Sequence, residues 1–537
     1  MKEGSSKGII ILILVIVVLF GIYKFITKND NKKEEIKPEN YVSVENEKVD
    51  SNEIRIGIIE FDNINPIISN NKNVQDISRL IFDSLFTLTQ DEYKLEADLA
   101  KECSKIADKT YVIKLKDGIK WHDGNKFDAF DVEFTIDMLK KIGSNSVYYY
   151  NVKDIEEVEV IDETTIKLKT DKDIPFYEYN LIFPIVSCKY YNEDNFLLES
   201  KNIKPVGTGR YYISETNNNN IILKKSVANF DNKSTRLDII NLKLYSSLSE
   251  TINAFKESQI DIFITANKDI DEYLKHVNYN KVDYINRNYS YLALNCDNNI
   301  LNNIEVRQAI NASIDKNEIA NNLHMNAIVS NFPLDYGSYA YDKANSYIEY
   351  DSNNAKRLLV DNNWKYENKK WRKTVKGKYL KIELELVTNK NSNMIKMANM
   401  IKENLEKIGI QVKIIEAKDE QYNKYINNKN YDMILVDSTY GYSPSLEKYF
   451  GEGNLANYNS ESIRETLLKA QNIKDENEIR KEYSSIVEKY NLEVPYISLN
   501  YNTSSLIYNK NLKGSIKPNS YNVFYSIENW YREYSKK

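Results

Sequence analysis

Apolar positions along this chain fall into short alternating runs separated by stretches of helical spacing, so that strands and helices follow one another through the body. Ile54 to Ile59 reads as a strand, and Asp76 to Leu85 has helical spacing. Val112 to Leu115 alternate like a half-buried strand. Asp117-Gly118 is a type I′ hairpin signal, and Ile119-Lys120-Trp121 is the short return strand, closed by a second turn at Asp123-Gly124. Asp128 then sits where an N-cap belongs, with Asp131 three residues on, ahead of the apolar run Val132, Phe134, Ile136, Met138 and Leu139. Tyr291 to Asn295 is a strand leading to a helix with Val306, Ala309, Ile310 and Ile314 on one face. Leu380 to Thr388 is a strand, Met394 to Ile408 a helix, and Gly409-Ile410-Gln411-Val412 turns into the next strand. Tyr431 to Val436 is another strand, and Pro495 to Leu499 opens the last.

Two segments at the front depart from this alternation. Gly8 to Tyr23 is an uncharged apolar run, and its length of about 16 residues lies between the signal-peptide and spanning-helix norms. Lys2 and Lys7 precede it, and Lys24-Phe25-Ile26-Thr27-Lys28 follows in place of a small-x-small cleavage site. Lys7 and Lys24 can snorkel, so residues 1–28 are predicted to form an uncleaved signal anchor, a transmembrane helix. Asn29 to Asn52 is polar and almost free of apolar periodicity, which predicts a flexible stalk.

Composition narrows the function classes. With 537 residues, 42% hydrophobic and 28% charged, the chain is long enough for a large core spread over several domains. A net charge of −5 without a basic tract in the body argues against nucleic acid as a partner. Tyrosine is abundant, at 42 against 17 Phe, alongside much Asn, Lys and Ile. That bias fits an AT-rich genome, so not every tyrosine is read as a ligand contact. Cys103, Cys188 and Cys296 show no CxxC and no metal-ligand spacing; they read as buried free thiols, with one disulfide open outside the cell. His122, His276 and His324 are the three histidines, and no HExxH, GxSxG or P-loop occurs. Gly207-Thr208-Gly209 lacks the third glycine and the Lys-Ser/Thr of a phosphate loop. The chain is therefore predicted to be no enzyme and to use neither metal nor cofactor.

Residues 111 to 136, with Trp121-His122-Asp123-Gly124 and Ala129-Phe130-Asp131-Val132 at their centre, resemble the signature of the family 5 extracellular solute-binding proteins. These are the oligopeptide- and dipeptide-binding components of ABC importers. Pro205-Val206-Gly207-Thr208-Gly209-Arg210-Tyr211 is similar to the family's Pro-x-Gly-Thr-Gly-Pro-Tyr turn. Tyr291 to Asn295 with Val306 to Lys316 is a third specific match. Weaker matches are Phe61 to Pro66, Asp98 to Ala100, Ala254 to Asp261 with Ser258 in place of glycine, Ala355 to Leu359, and Gly451 to Tyr458. The resemblance runs from about Ile54 to Trp530.

It implies an α/β body of periplasmic-binding-protein type with two lobes and an extra lobe, three domains in all. Domain I would comprise residues 53–85, 195–290 and 491–537; domain II 86–194; domain III 291–490. It places the body outside the cell, although Lys24, Lys28, Lys32 and Lys33 behind the apolar run count toward a cytoplasmic body. No lipid anchor is expected, because no cysteine stands just after that run. The implied function is capture of oligopeptides or a similar small solute in an interlobe cleft for an ABC permease and its ATPase. The rivals are a membrane-tethered peptide sensor, a sugar-binding relative and a cell-wall-peptide enzyme. Expected ligand contacts are Phe61, Asp62, Tyr149 of the Tyr148-Tyr149-Tyr150 cluster, Asn295, Asp437, Tyr440 and Tyr442. Peptide-binding relatives meet the ligand's ammonium with an aspartate four residues before a proline. Aligned on Pro444, that position is Tyr440, and the nearest carboxylate is Asp437. Either Asp437 takes over, or the ligand has no free ammonium there.

Overall fold

The computed structural model describes residues 48–59, 62–198, 202–217, 219–227, 235–323, 325–334, 337–341, 349–439 and 441–535. The chain divides into two units, residues 1–49 with 535–537 and residues 50–534, and the second carries the fold. The predicted anchor, and the predicted stalk as far as residue 47, lie outside the described residues. The last part of that stalk is instead a strand, Lys48–Ser51. Among the described residues, no helix is long and apolar enough to cross a membrane.

The main sheet consists of two parallel blocks joined by an antiparallel pair. One block holds Glu383–Asn389, Gln411–Ala417 and Met433–Thr439, connected through the helices Ser392–Lys407 and Asp419–Asn428. The other holds Glu53–Ile59, Ile239–Tyr245 and Ile262–Thr265, with the helix Leu248–Lys256 as a crossover. Between them run the long strands Tyr279–Leu294 and Tyr496–Asn509, antiparallel to one another. Parallel strands covered by helices need apolar residues on both faces. Met433, Ile434, Leu435 and Val436 are accordingly buried in succession, and Ile54, Ile56 and Ile58 bury one face of their strand.

A second, four-stranded antiparallel sheet is built from Ala100–Ala107, Thr110–Leu115, Thr165–Thr170 and Ile155–Asp162. One face is apolar, with Tyr111, Ile113, Leu115, Ile166 and Leu168 buried. Its other face carries cross-strand charge pairs, Lys114–Glu102 at 2.7 Å and Lys169–Glu156 at 3.2 Å among them.

The predicted strand at Val112 to Leu115 and the capped helix after Asp128 are both present, the helix as Ala129–Ile142 with Asp128 and Asp131 closing a capping box. The hairpin at Asp117-Gly118 is not. Both edges of Thr110–Leu115 are taken, by Ala100–Ala107 and Thr165–Thr170. Ile119 to Trp121 instead pairs with Asn125 to Phe127 around the second turn, through Trp121 N to Asn125 O at 2.8 Å and Phe127 N to Ile119 O at 3.0 Å. The helix expected over Asp76 to Leu85 is Lys72–Ile81, started by the Asn71 cap and ended by extended Phe82. The strand expected over Leu380 to Thr388 is broken into Lys378–Lys381 and Glu383–Asn389. The last strand runs on well past Leu499, because it has partners on both sides.

The two strongest sequence motifs meet in space. Gly207 N donates to His122 Nδ1 at 3.3 Å, and His122 Nε2 bonds the Gly209 carbonyl at 2.8 Å. Those contacts fit a neutral ring, and burial holds the His122 pKa below its ordinary value. Gly207 and Gly209 lie against the end of the helix Lys72–Ile81; a Cβ on Gly207 would come within 1.9 Å of the Ile81 carbonyl oxygen. Asp131, fully buried, accepts from Trp121 Nε1 at 3.0 Å, Asp128 N at 3.1 Å and Cys188 N at 2.8 Å. All three cysteines are free thiols, and burial pushes Cys188 up to about 12.

Replacing Asp131 with Ala strands three buried donors and is expected to cost about 3 kcal/mol or more. Urea unfolding should show this as a lower midpoint at unchanged slope. A loss under about 1 kcal/mol would mean that the network is not what holds the signature together.

Candidate ligand-binding site

The helix Lys72–Ile81 buries Val74, Ile77, Leu80 and Ile81, while Gln75, Asp76 and Arg79 are related by the i+3 and i+4 spacings of adjacent helical turns. Gln75 donates from Nε2 to the carbonyls of Pro66 at 2.9 Å and Ser69 at 2.7 Å, and its Oε1 accepts the Tyr148 hydroxyl at 2.6 Å. Asp76 is 4% exposed and ion-paired with Lys72. Burial raises its carboxyl above the ordinary value, against the pull of Lys72, Arg79 and Arg287. The Arg79 guanidinium lies 3.7 Å from the centre of the Tyr521 ring and donates to its hydroxyl at 2.7 Å.

An aromatic wall continues from there. Tyr442 packs edge-on to Tyr521 and tilted against Tyr93, each at 5.3 Å between ring centres. Arg287, from the strand Tyr279–Leu294, stands 4.9 Å over Tyr442. The loop carrying Tyr442 is fixed by the Tyr483 hydroxyl, which donates to the Pro444 carbonyl. A few residues on, Lys448 Nζ donates to Ser438 Oγ at 2.9 Å and to the Thr439 carbonyl at 3.4 Å. Lys448 keeps solvent contact. The loss of surrounding water, reinforced by Arg287, pushes its ammonium down to about 8. Elements far apart in sequence thus bring tyrosines and cations to one place, an arrangement that can stack a ligand and fix its charge without bond-making chemistry.

The family model for bacterial extracellular solute-binding proteins, family 5 (middle region), matches residues 94–460, more than half of the chain. This chain belongs to that family. The oligopeptide-binding protein AppA of Bacillus subtilis is 25% identical over 494 residues, 87% of this chain and 89% of the relative. The solved structure of that oligopeptide-binding protein with a nonapeptide superposes at a TM-score of 0.61 and 22% identity, over 89% of this chain and 99% of that one. HbpA2 from Haemophilus parasuis superposes at 0.73 and 19% identity, over 90% and 100% of the two chains. These superpositions establish the mixed α/β periplasmic-binding fold.

Of the contacts expected in this family 5 protein, Phe61 and Tyr440 lie outside the described residues. Tyr442 stands in the aromatic wall. Within the Tyr148-Tyr149-Tyr150 cluster it is Tyr148, 6% exposed, that reaches Gln75, whereas Tyr149 packs on Tyr150 at 5.6 Å. Asp62 accepts from Ser69 Oγ at 2.7 Å within its own loop. Asn295 is spent on structure: its amide donates to the Tyr431 carbonyl at 2.9 Å, and its oxygen accepts from Asn457 at 3.0 Å.

Asp437 lies on the other side of the sheet from the wall. The strand Met433–Thr439 pairs in unbroken register with Tyr279–Leu294, so successive side chains alternate faces. Asp437 shares a face with Met433 and Leu435, opposite Ser290, whereas Ser438, which holds Lys448, points the other way. Loss of surrounding water raises the Asp437 carboxyl, partly offset by the Ser290 hydroxyl. Arg79, Arg287, Lys448 and Tyr521 escaped sequence reasoning. The one available signal was a polar Gln75-Asp76…Arg79 set on a helix otherwise amphipathic toward the core.

Because of this facing, Asp437→Asn is expected to change affinity for peptides with a free amino terminus by less than about threefold, whereas Tyr442→Ala should weaken it by about tenfold or more through lost stacking. Calorimetry with free and N-acetylated forms of one peptide checks both. A hundredfold loss in Asp437→Asn, confined to the free amine, would restore Asp437 as the ammonium partner.

Proposed function

We propose that this family 5 protein is the extracytoplasmic substrate-binding component of an ABC importer. It would capture oligopeptides, or a similar small solute, against Tyr148, Tyr442 and Tyr521 and deliver them to a membrane permease and its ATPase. The observation that carries this reading is the convergence of those tyrosines with Arg79, Arg287 and Lys448 from distant elements. The names of the relatives, among them an oligopeptide-binding protein, point to the same ligand class. Residues 53–85, 195–290 and 491–537 would form domain I, 86–194 domain II and 291–490 domain III, closing on the ligand as a hinged trap. The long strands Tyr279–Leu294 and Tyr496–Asn509 are the proposed hinge. Register breaks between Ile285 and Tyr289 and between Ser290 and Tyr291 support this, since a bulge is where a strand bends. The apolar run from Gly8 to Tyr23 would tether the body to the outer side of the cell membrane.

Ligand trapped between lobes should shrink the molecule and stabilise it by about 2.7 kcal/mol at a hundredfold excess over Kd. Small-angle scattering and melting curves with an oligopeptide library test this together. Unchanged dimensions in a sample whose melting point rises would rule out closure while leaving binding intact.

Topology is tested separately. Protease treatment of intact cells should release a soluble fragment beginning between Lys28 and Asn52. A body protected until lysis would place it in the cytoplasm.

A further inference from the structure

Several cations in this fold are matched by carboxylates. Arg55 and Arg532 both bond the fully buried Asp261, at 2.8 Å and 2.6 Å at their closest. Arg210 meets Glu528 at 2.7 Å, and Lys373 meets Glu305 at 2.9 Å. Arg79 and Lys448 differ from these. Among the described residues neither has a carboxylate at ion-pair distance: Arg79 donates to a neutral phenol, Lys448 to a hydroxyl and a backbone carbonyl. Arg287 adds a third positive charge on the same side. Asp76 faces this group, and Lys72 already engages it; Asp98 lies within electrostatic reach of Tyr521. Asp437 faces the opposite side of the sheet.

Resting on the reading of this place as the ligand site, we infer that it selects an anionic ligand, one whose carboxylate is held by Arg79 and Lys448 while its body stacks on Tyr442 and Tyr521. A partly desolvated cation is costly without an opposite charge. When the protein supplies none, a bound anion offsets the cost, and a guanidinium beside an aromatic ring suits a planar carboxylate. The depressed Lys448 ammonium fits this arrangement, because a neighbouring carboxylate would restore its charge. With Arg79, Arg287 and Lys448 on this face and Asp76 engaged by Lys72, the site should favour an acidic or amino-blocked ligand over a basic one. The carboxylate could belong to a peptide's carboxyl terminus, to an acidic side chain or to a non-peptide acid.

Calorimetry on the full chain in detergent separates these. The probes are an N-acetylated tetra-alanine as free acid and as carboxamide, the carboxamide with one Ala replaced by Glu, and citrate. Free acid or Glu-bearing amide should bind about tenfold or more tighter than the plain amide. Arg79→Gln should erase that preference and Arg79→Lys should retain part of it; ligand-free melting curves verify that each variant is folded. Should Arg79→Gln fail to fold, Lys448→Gln, at a solvent-facing side chain, takes its place with the same expected loss. Equal binding of acid and amide, or a preference that survives both Gln variants, overturns the inference while the peptide-import reading stands. Citrate bound in an Arg79-dependent way with no peptide bound supports the inference and sinks the peptide reading. No binding of any probe overturns both.

Discussion

The pairing of Tyr279–Leu294 with Tyr496–Asn509 is the constraint on which the rest depends. It joins two parallel blocks that would otherwise be separate sheets, and each block already has its own helical cover. Because side chains alternate along a strand, this pairing also decides what each face carries. Tyr289 and Tyr291 stack at 5.2 Å on one face, with Tyr449 and Tyr496 around them, while Leu292 and Leu294 pack with Met433 and Leu435 on the other. A slip of one residue would exchange these sets and carry Asp437 to the aromatic side.

Charge is closely matched at some places in the molecule and left open at others. At Asp261, burial alone would raise the carboxyl, yet Arg55 and Arg532 outweigh it and hold the group below the usual range. Such a closed network positions strands. At Arg79 and Lys448 the protein stops short of closure, leaving cations beside aromatic surface. That contrast, more than the number of tyrosines, is what supports the proposed ligand site in a chain so rich in tyrosine.

The residues most specific to the family turn out to be architectural. Trp121 and Asp131 close a buried hydrogen-bond network, and His122 bridges to Gly207 and Gly209, which lie against the end of the helix bearing Arg79. The signature therefore positions the helix that carries Arg79. Ser258, where relatives have glycine, adopts a left-handed backbone at φ 58°, so the conformation that glycine eases is kept without it.

The sequence by itself determined what depends on near neighbours. The Asp128 capping box, the amphipathic helices at Ile304–Ser313 and Ser392–Lys407, the strand ends and the family motifs all follow from spacing within a few residues. It misplaced the hairpin at Asp117-Gly118, because a turn signal cannot reveal that both edges of its strand are already occupied. It also could not rank Tyr148 over Tyr149, or set Asp437 apart from Tyr442. Tyr148 is singled out by Gln75, 73 positions away, and the facing of Asp437 by pairing with a strand more than a hundred positions away. Only the tertiary structure brought Arg79, Arg287, Lys448 and Tyr521 together, since the contacts that do so join elements with no local pattern in common.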